Sequence, residues 1–205
     1  MQTKVRGIRL DGTEKDISAD RAGALYVSNY LRDKALLTAA GLGWRVINTT
    51  AKACVNAIPT TTAMFTLWNG SSDKYFIIDQ VFANVYADPN SRASFHLISC
   101  IHPVGMAAPT ADITAIKSLN GSGSYGGLAR CDVDATVVND GWYPAGTSIE
   151  VFSNNQEGGQ AVVYEINGGI VLPPTAGLSL VGQASSTAIT ATHGFTWYEV
   201  YIDTE

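Results

Sequence analysis

The residues best able to do chemistry sit in three short stretches. In "SFHLISCIH", His96, Cys100 and His102 fall on one strand face at i, i+4 and i+6. A thiol and two imidazoles are zinc-type ligands, and zinc wants three or four of them converging. Strand rise puts i and i+6 about 20 Å apart, so only Cys100 and His102 are near enough to share an ion. The expectation is therefore no metal, no cofactor, and an exposed or interface strand face. "CDVDATVVND" offers Asp132, Asp134 and Asp140. Carboxylates two apart can ligate calcium, but the spacing is not that of an EF-hand loop, and a solvated acidic strand end is the expected reading. "NGSGSYGGL" and "NDGWYPAG" place Tyr125, Trp142 and Tyr143 among glycines, Asn139 and Asp140. Such rings could stack on a sugar while the acceptors bind its hydroxyls. They equally suit a packed loop or a subunit interface, where aromatics are enriched. No G-x-S-x-G, P-loop, H-E-x-x-H or C-x-x-C occurs. The cluster of two or three histidines with a glutamate that a cupin enzyme would want is also absent. A non-enzyme is expected.

The elements that must carry these residues are short and extended. From Trp44 onward the chain reads as strands: "WRVINT", "ACVNAI", "AMFTLW", "KYFIIDQVFANVYA", "SFHLISCIH", "ITAIKSL", "DATVV", "SIEVFS", "QAVVYEI", "GIVL", "GLSLVG" and "FTWYEVYI". Their separators are turn residues such as Asn69-Gly70, Asp88-Pro89, Asn120-Gly121, Asp140-Gly141 and Gly168-Gly169. Pro173 and Pro174 cannot donate to a ladder, so they set a hard turn between the last two strand pairs. Strands at this spacing, without a fixed-period repeat, predict an antiparallel sandwich or barrel. Helix is expected only in "LRDKALLTAAGLG". Several strands, notably "KYFIIDQVFANVYA" and "FTWYEVYI", are apolar on both faces. One face needs the opposite sheet. For the other, a neighbouring subunit or its arm is the expected cover.

Composition narrows the class. In 205 residues only 15% are charged against 46% hydrophobic, below the roughly 25% charge usual in soluble domains, which points to surface hidden by oligomerisation. The net charge is −5, giving no reason to expect nucleic-acid binding. Residues 1–34 hold seven Lys/Arg and five Asp/Glu, a balance of +2, while the remainder carries −7. Cys54, Cys100 and Cys131 are too few and too odd in number for a disulfide framework. They read as small buried hydrophobes of a reducing compartment. "MQTKVRGIRLDG" lacks the apolar core of a signal peptide. No run reaches the roughly 20 apolar residues of a membrane span, so neither export by the usual route nor membrane insertion is expected.

Residues 1–42 differ from the rest. Two extended pieces surround the turn signals Asp11-Gly12 and Ala22-Gly23, and there is too little apolar area for an independent core. The division expected is an arm with one short helix at 1–42 and a β-sandwich at 43–205. The pattern Val5, Gly7, Asp11, Gly12, then Asp20, Gly23, Leu25 and Val27 resembles the N-terminal arms of tailed-bacteriophage structural proteins. The run from "AVVYEINGGIVL" through the proline turn to "FTWYEVYI" resembles the closing strands of viral and tumour-necrosis-factor-type jelly rolls. What this resemblance implies is an all-β jelly-roll sandwich in a virion, without catalysis, assembling as a homotrimer on other virion proteins such as a major capsid protein. It further implies an assembly arm anchored by Val5, Ile8, Leu10, Leu25 and Val27. A glycan-binding module of a fibre or tail, using Tyr125, Trp142 and Tyr143, is the alternative it implies.

Overall fold

The computed structural model describes residues 6–8, 14–16, 33–59, 61–86, 93–121, 123–151 and 159–201. In chain order the elements are β1 (Arg6–Ile8), β2 (Glu14–Asp16), α1 (Asp33–Ala39), β3 (Gly43–Ile47), β4 (Lys52–Ala53), β5 (Phe65–Trp68), β6 (Lys74–Tyr86) and β7 (Ala93–His102). Then follow β8 (Lys117–Ser118), β9 (Arg130–Val133), β10 (Trp142–Pro144), β11 (Ile149–Val151), β12 (Gly159–Leu172), β13 (Gly177–Ala184) and β14 (Thr190–Tyr201). The expected all-β sandwich with one short helix is what forms, at 55% strand and 4% helix among the described residues.

Two six-stranded antiparallel sheets make the body. The first runs β10-β7-β13-β5-β9 with β11 also on β7, and the second runs β12-β6-β14-β3-β8 with β4 on β14. The pairing is nested. Counting β3, β5, β6, β7, β10, β12, β13 and β14 as eight successive strands, the first pairs the eighth, the second the seventh, the third the sixth and the fourth the fifth. Among the described residues β1 and β2 pair with each other, Gly7 opposite Lys15, as the Asp11-Gly12 turn signal implies.

Alternation explains why the sheets face each other. Phe65, Leu67, Phe95, Leu97, Leu178 and Leu180 of the first sheet meet Phe76, Ile78, Val81, Phe195 and Trp197 of the second in one buried cluster. Phe65 stacks on Phe195 across the sandwich with ring centroids 5.3 Å apart. All three cysteines are buried and unpaired.

The structure corrects three expectations. "QAVVYEI" and "GIVL" are not separate strands: β12 is continuous, and Asn167 (φ 53°) and Gly168 (φ 79°) lie in its bulge rather than in a turn. Asp79 drops out of register against both β12 and β14 at the same level, so one extra residue in the central strand is matched by a bulge in its neighbour. "DATVV" is not a strand either. β9 ends at Val133, Asp134 has φ 56°, and only Thr136 bridges, to Thr62. Finally, the chain covers much of its own outer surface. Ala63, Met64, Ala135, Val137 and Trp142 close over Ile98, Cys100 and Val181 on the outside of the first sheet. On the outside of the second, the α1 hydroxyl of Thr38 lies 3.3 Å from the Tyr198 hydroxyl, and Lys34 pairs with Asp79. Trp197 and Tyr198 are thus both buried within one chain. Of the expected arm anchors, Ile8 lies in β1 opposite Glu14, and Val5, Leu10, Leu25 and Val27 lie outside the described residues.

Candidate functional site

A polar cluster sits on the outer face of the first sheet. Strand register puts Thr66, Ser179, Cys100 and Trp142 in one row across β5, β13, β7 and β10. His102 is two residues beyond Cys100 on the same face, opposite Gly177. With no side chain at Gly177, the space is taken by Met106, whose sulfur a Cβ there would strike. The imidazole spans the gap between strand and loop. Its Nε2 is 2.8 Å from Ser179 Oγ, and its Nδ1 is 2.8 Å from Asp140 Oδ2. Ser179 Oγ is in turn 2.8 Å from Thr66 Oγ1, and Cys100 Sγ lies 3.9 Å from His102 Nδ1.

Asp140 reaches the strand because the loop turns at Gly141 (φ 104°) and then enters β10 beside Cys100. His102 is 1% exposed and Ser179 0%, whereas the Asp140 side chain retains 27%. Burial pushes the Cys100 thiol up, a backbone hydrogen bond at Asp140 works against this, and the Asp140 charge adds to the rise. A cavity of about 490 Å³ adjoins the cluster, lined by His102, Met106, Val137 and Asp140, with exposed Val104 and Val138 at its rim.

Serine, histidine and aspartate in this order make the hydrogen-bonded chain of a hydrolase triad. The accessibility is reversed, however: the carboxylate is at the surface and the hydroxyl is enclosed and held by Thr66.

The three aromatics separate. Tyr125 is half-buried against the main core, edge-on to Trp44 and Trp197. Its hydroxyl donates to Glu199 Oε1 at 2.5 Å and accepts from the Ala129 N–H. It pins a loop, and burial reinforced by the Glu199 charge pushes its phenol up. Trp142 is 9% exposed in the second cluster. Tyr143 is 70% exposed and borders a hollow of about 350 Å³ with Ile101, Asp140 and Ile170. The three acidic residues diverge as well. Asp134 pairs with Lys52, Asp140 with His102, and Asp132 is buried beside Asp112. His96 stands opposite Gln183, six residues along β7 from His102.

Sequence reasoning named Cys100, His102 and Asp140 but placed the aspartate in a different set, and it did not single out Ser179. The convergence depends on β7 pairing with β13 and β10, a register no local spacing encodes. No family model matches the chain, and no curated protein matches it.

Proposed function

We propose that the chain is a non-enzymatic structural building block of a viral particle that associates with copies of itself. The nested pairing of eight strands, first with eighth through fourth with fifth, supports reading the sandwich as a jelly roll, an architecture used by viral capsid and lectin domains. This is an argument from fold, and fold alone does not carry function.

The observation that carries the reading is a row across the outer face of the second sheet. Val163, Phe82, Gly194 and Ile47 lie side by side on β12, β6, β14 and β3. Val163 and Ile47 are exposed. The row borders a hollow of about 310 Å³ that also includes Arg45, Gln80 and Lys117. The next row is polar: Glu165, Gln80, Thr196, Arg45 and Lys117. An apolar strip with a polar rim is the anatomy of a subunit contact. Among the described residues β12 is also an edge strand, 14 residues long, and sheet edges recruit partners. The enclosed Ser179 hydroxyl supports a role without catalysis.

In this reading the assembly is a homotrimer seated on other virion proteins such as a major capsid protein, with the leader anchored through Val5, Ile8, Leu10, Leu25 and Val27. Sedimentation of the full chain tests it. A trimer or larger assembly is expected, and Val163→Asp combined with Ile47→Asp should reduce it to monomer with an unchanged far-ultraviolet spectrum. A wild-type chain that stays monomeric at high concentration would overturn the proposal. The exposed Tyr143 ring beside Asp140 favours one second reading, a glycan contact. Tyr143→Ala should then abolish retention on a glycan array.

A further inference from the structure

We propose that Cys100, His102 and Asp140 form a three-ligand site for a borderline-soft divalent metal, zinc foremost, with its fourth position open to the cavity beside Met106 and Val137. The site is independent of the assembly reading above.

Geometry comes first. One ligand atom from each of the three residues lies within 4.8 Å of the other two. His102 Nδ1 is 2.8 Å from Asp140 Oδ2 and 3.9 Å from Cys100 Sγ. Tetrahedral zinc with bonds of about 2.0–2.3 Å separates its ligands by roughly 3.3–3.7 Å. Metal entry therefore requires the imidazole–carboxylate pair to open by roughly 0.5 Å and the thiol to close on both partners, by up to about 1.3 Å toward a carboxylate oxygen that lies within 4.8 Å of it. Asp140 is on a loop and can give; Cys100 and His102 are fixed two apart on one face of β7.

The donor set selects the ion. One thiolate, one imidazole and one carboxylate suit zinc or cobalt, whereas magnesium and calcium require oxygen ligands throughout. The surroundings fit too. A metal-bound imidazole normally has its second nitrogen engaged, which fixes its tautomer. Here Nε2 faces Ser179 Oγ, and Ser179 is backed by Thr66. Without metal, Nδ1–H donates to Asp140 and the Ser179 hydroxyl donates to Nε2. With metal, the proton resides on Nε2 and is donated to Ser179, whose hydroxyl turns to Thr66. The Nδ1 lone pair and the thiolate then face the ion. The balance is one metal ion taken up and one proton, that of the Cys100 thiol, released. The cavity of about 490 Å³ touches His102 and Asp140, giving the ion an entry path and room for a water or an incoming side chain as fourth ligand.

The test is titration of the full chain with Co(II), then with Zn(II) as competitor. One equivalent of Co(II) should bind with a thiolate charge-transfer band and tetrahedral d–d bands, and Zn(II) should erase both. Cys100→Ser should remove the charge-transfer band. Asp140→Asn should weaken Co(II) binding at least tenfold. His96→Ala should leave the titration unchanged. If the wild-type chain shows no thiolate band, if the band survives in Cys100→Ser, or if Asp140→Asn binds as tightly as wild type, the site does not exist.

Discussion

The backbone N–H of His193 donates to Asn48 Oδ1 at 2.5 Å, and the backbone N–H of Asn48 donates to His193 O at 3.0 Å. The two residues clamp each other where β14 leaves β3, and the clamp holds an imidazole wholly inside the sandwich. Neither of its ring nitrogens has a hydrogen-bond partner among the described residues. Burial drives the group down to about 4 from 6.5. Because the folded value is depressed, the neutral form is the native one. Its contribution is fully present above pH 6.5 and is lost as pH falls toward 4. The loss should be on the order of 3 kcal/mol between pH 7 and pH 4. The nearby Cys54 thiol, pushed up to about 12 by burial, stays neutral throughout that window. Urea denaturation of wild type should show this acid-side slope, and His193→Leu should flatten it. Parallel slopes for the two proteins would show that the imidazole is not the group responsible.

Asp132 should act with the opposite sign. It is buried on β9, and its carboxyl is raised from 3.8 to about 6, first by burial and then by its hydrogen bond to Asp112 and that residue's charge. A raised folded value favours the protonated form. The stability it contributes is fully present below pH 3.8 and is lost as pH rises through about 6. Asp132→Asn should therefore be more stable than wild type at pH 8, by on the order of 1–3 kcal/mol. The advantage should vanish below pH 4. Thermal melts at the two pH values decide it: a variant less stable at both would mean the ionised carboxylate is well solvated.

Trp197 and Tyr198 are adjacent and both buried, yet they hold different things. Trp197 sits between the sheets, tilted against Phe76 at 6.0 Å, with Nε1 donating to Glu199 at 3.3 Å. Tyr198 faces outward beneath α1. Trp197→Ala should cost roughly 3–5 kcal/mol. Tyr198→Phe removes only the hydroxyl contact with Thr38 and should cost about 0.5–1.5 kcal/mol. Hydrogen exchange should then accelerate selectively at the α1 amides. A global acceleration in Tyr198→Phe would mean that α1 is no separate layer.

This pair also shows how far the sequence could be read. Alternation in "FTWYEVYI" says that both faces are buried; from Phe195 to Glu199 they are, whereas Tyr201 is exposed and Ile202 lies outside the described residues. It cannot say by what, because α1 lies some 160 residues earlier and meets the sheet through Lys34 at the Asp79 bulge. That bulge left no mark beyond Asn167-Gly168, which is equally a turn signal. Sandwich and strand spacing were legible because period-two patterning is local. The His102 cluster was not, because Asp140 and Ser179 reach it only through the antiparallel register of β10 and β13. Tyr125 misled for the same reason: a tyrosine among glycines looks exposed until Glu199 is found beneath it.

The outer row of the second sheet gives a final, separable prediction. Gly194 lies between Phe82 and Ile47, and the Phe82 ring covers it. A Cβ at this position would collide with that ring and would come within 2.6 Å of the Val46 carbonyl oxygen. The ring can swing away toward solvent; the carbonyl belongs to the β3–β14 ladder and cannot. Gly194→Ala should therefore destabilise by about 1–3 kcal/mol. Phe82→Ala should relieve only part of that penalty, leaving the share that comes from the backbone. A double-mutant cycle read by chemical denaturation separates the two. Complete rescue by Phe82→Ala would assign the whole constraint to the side chain. No rescue would assign it to the ladder and leave the ring free to serve the subunit contact.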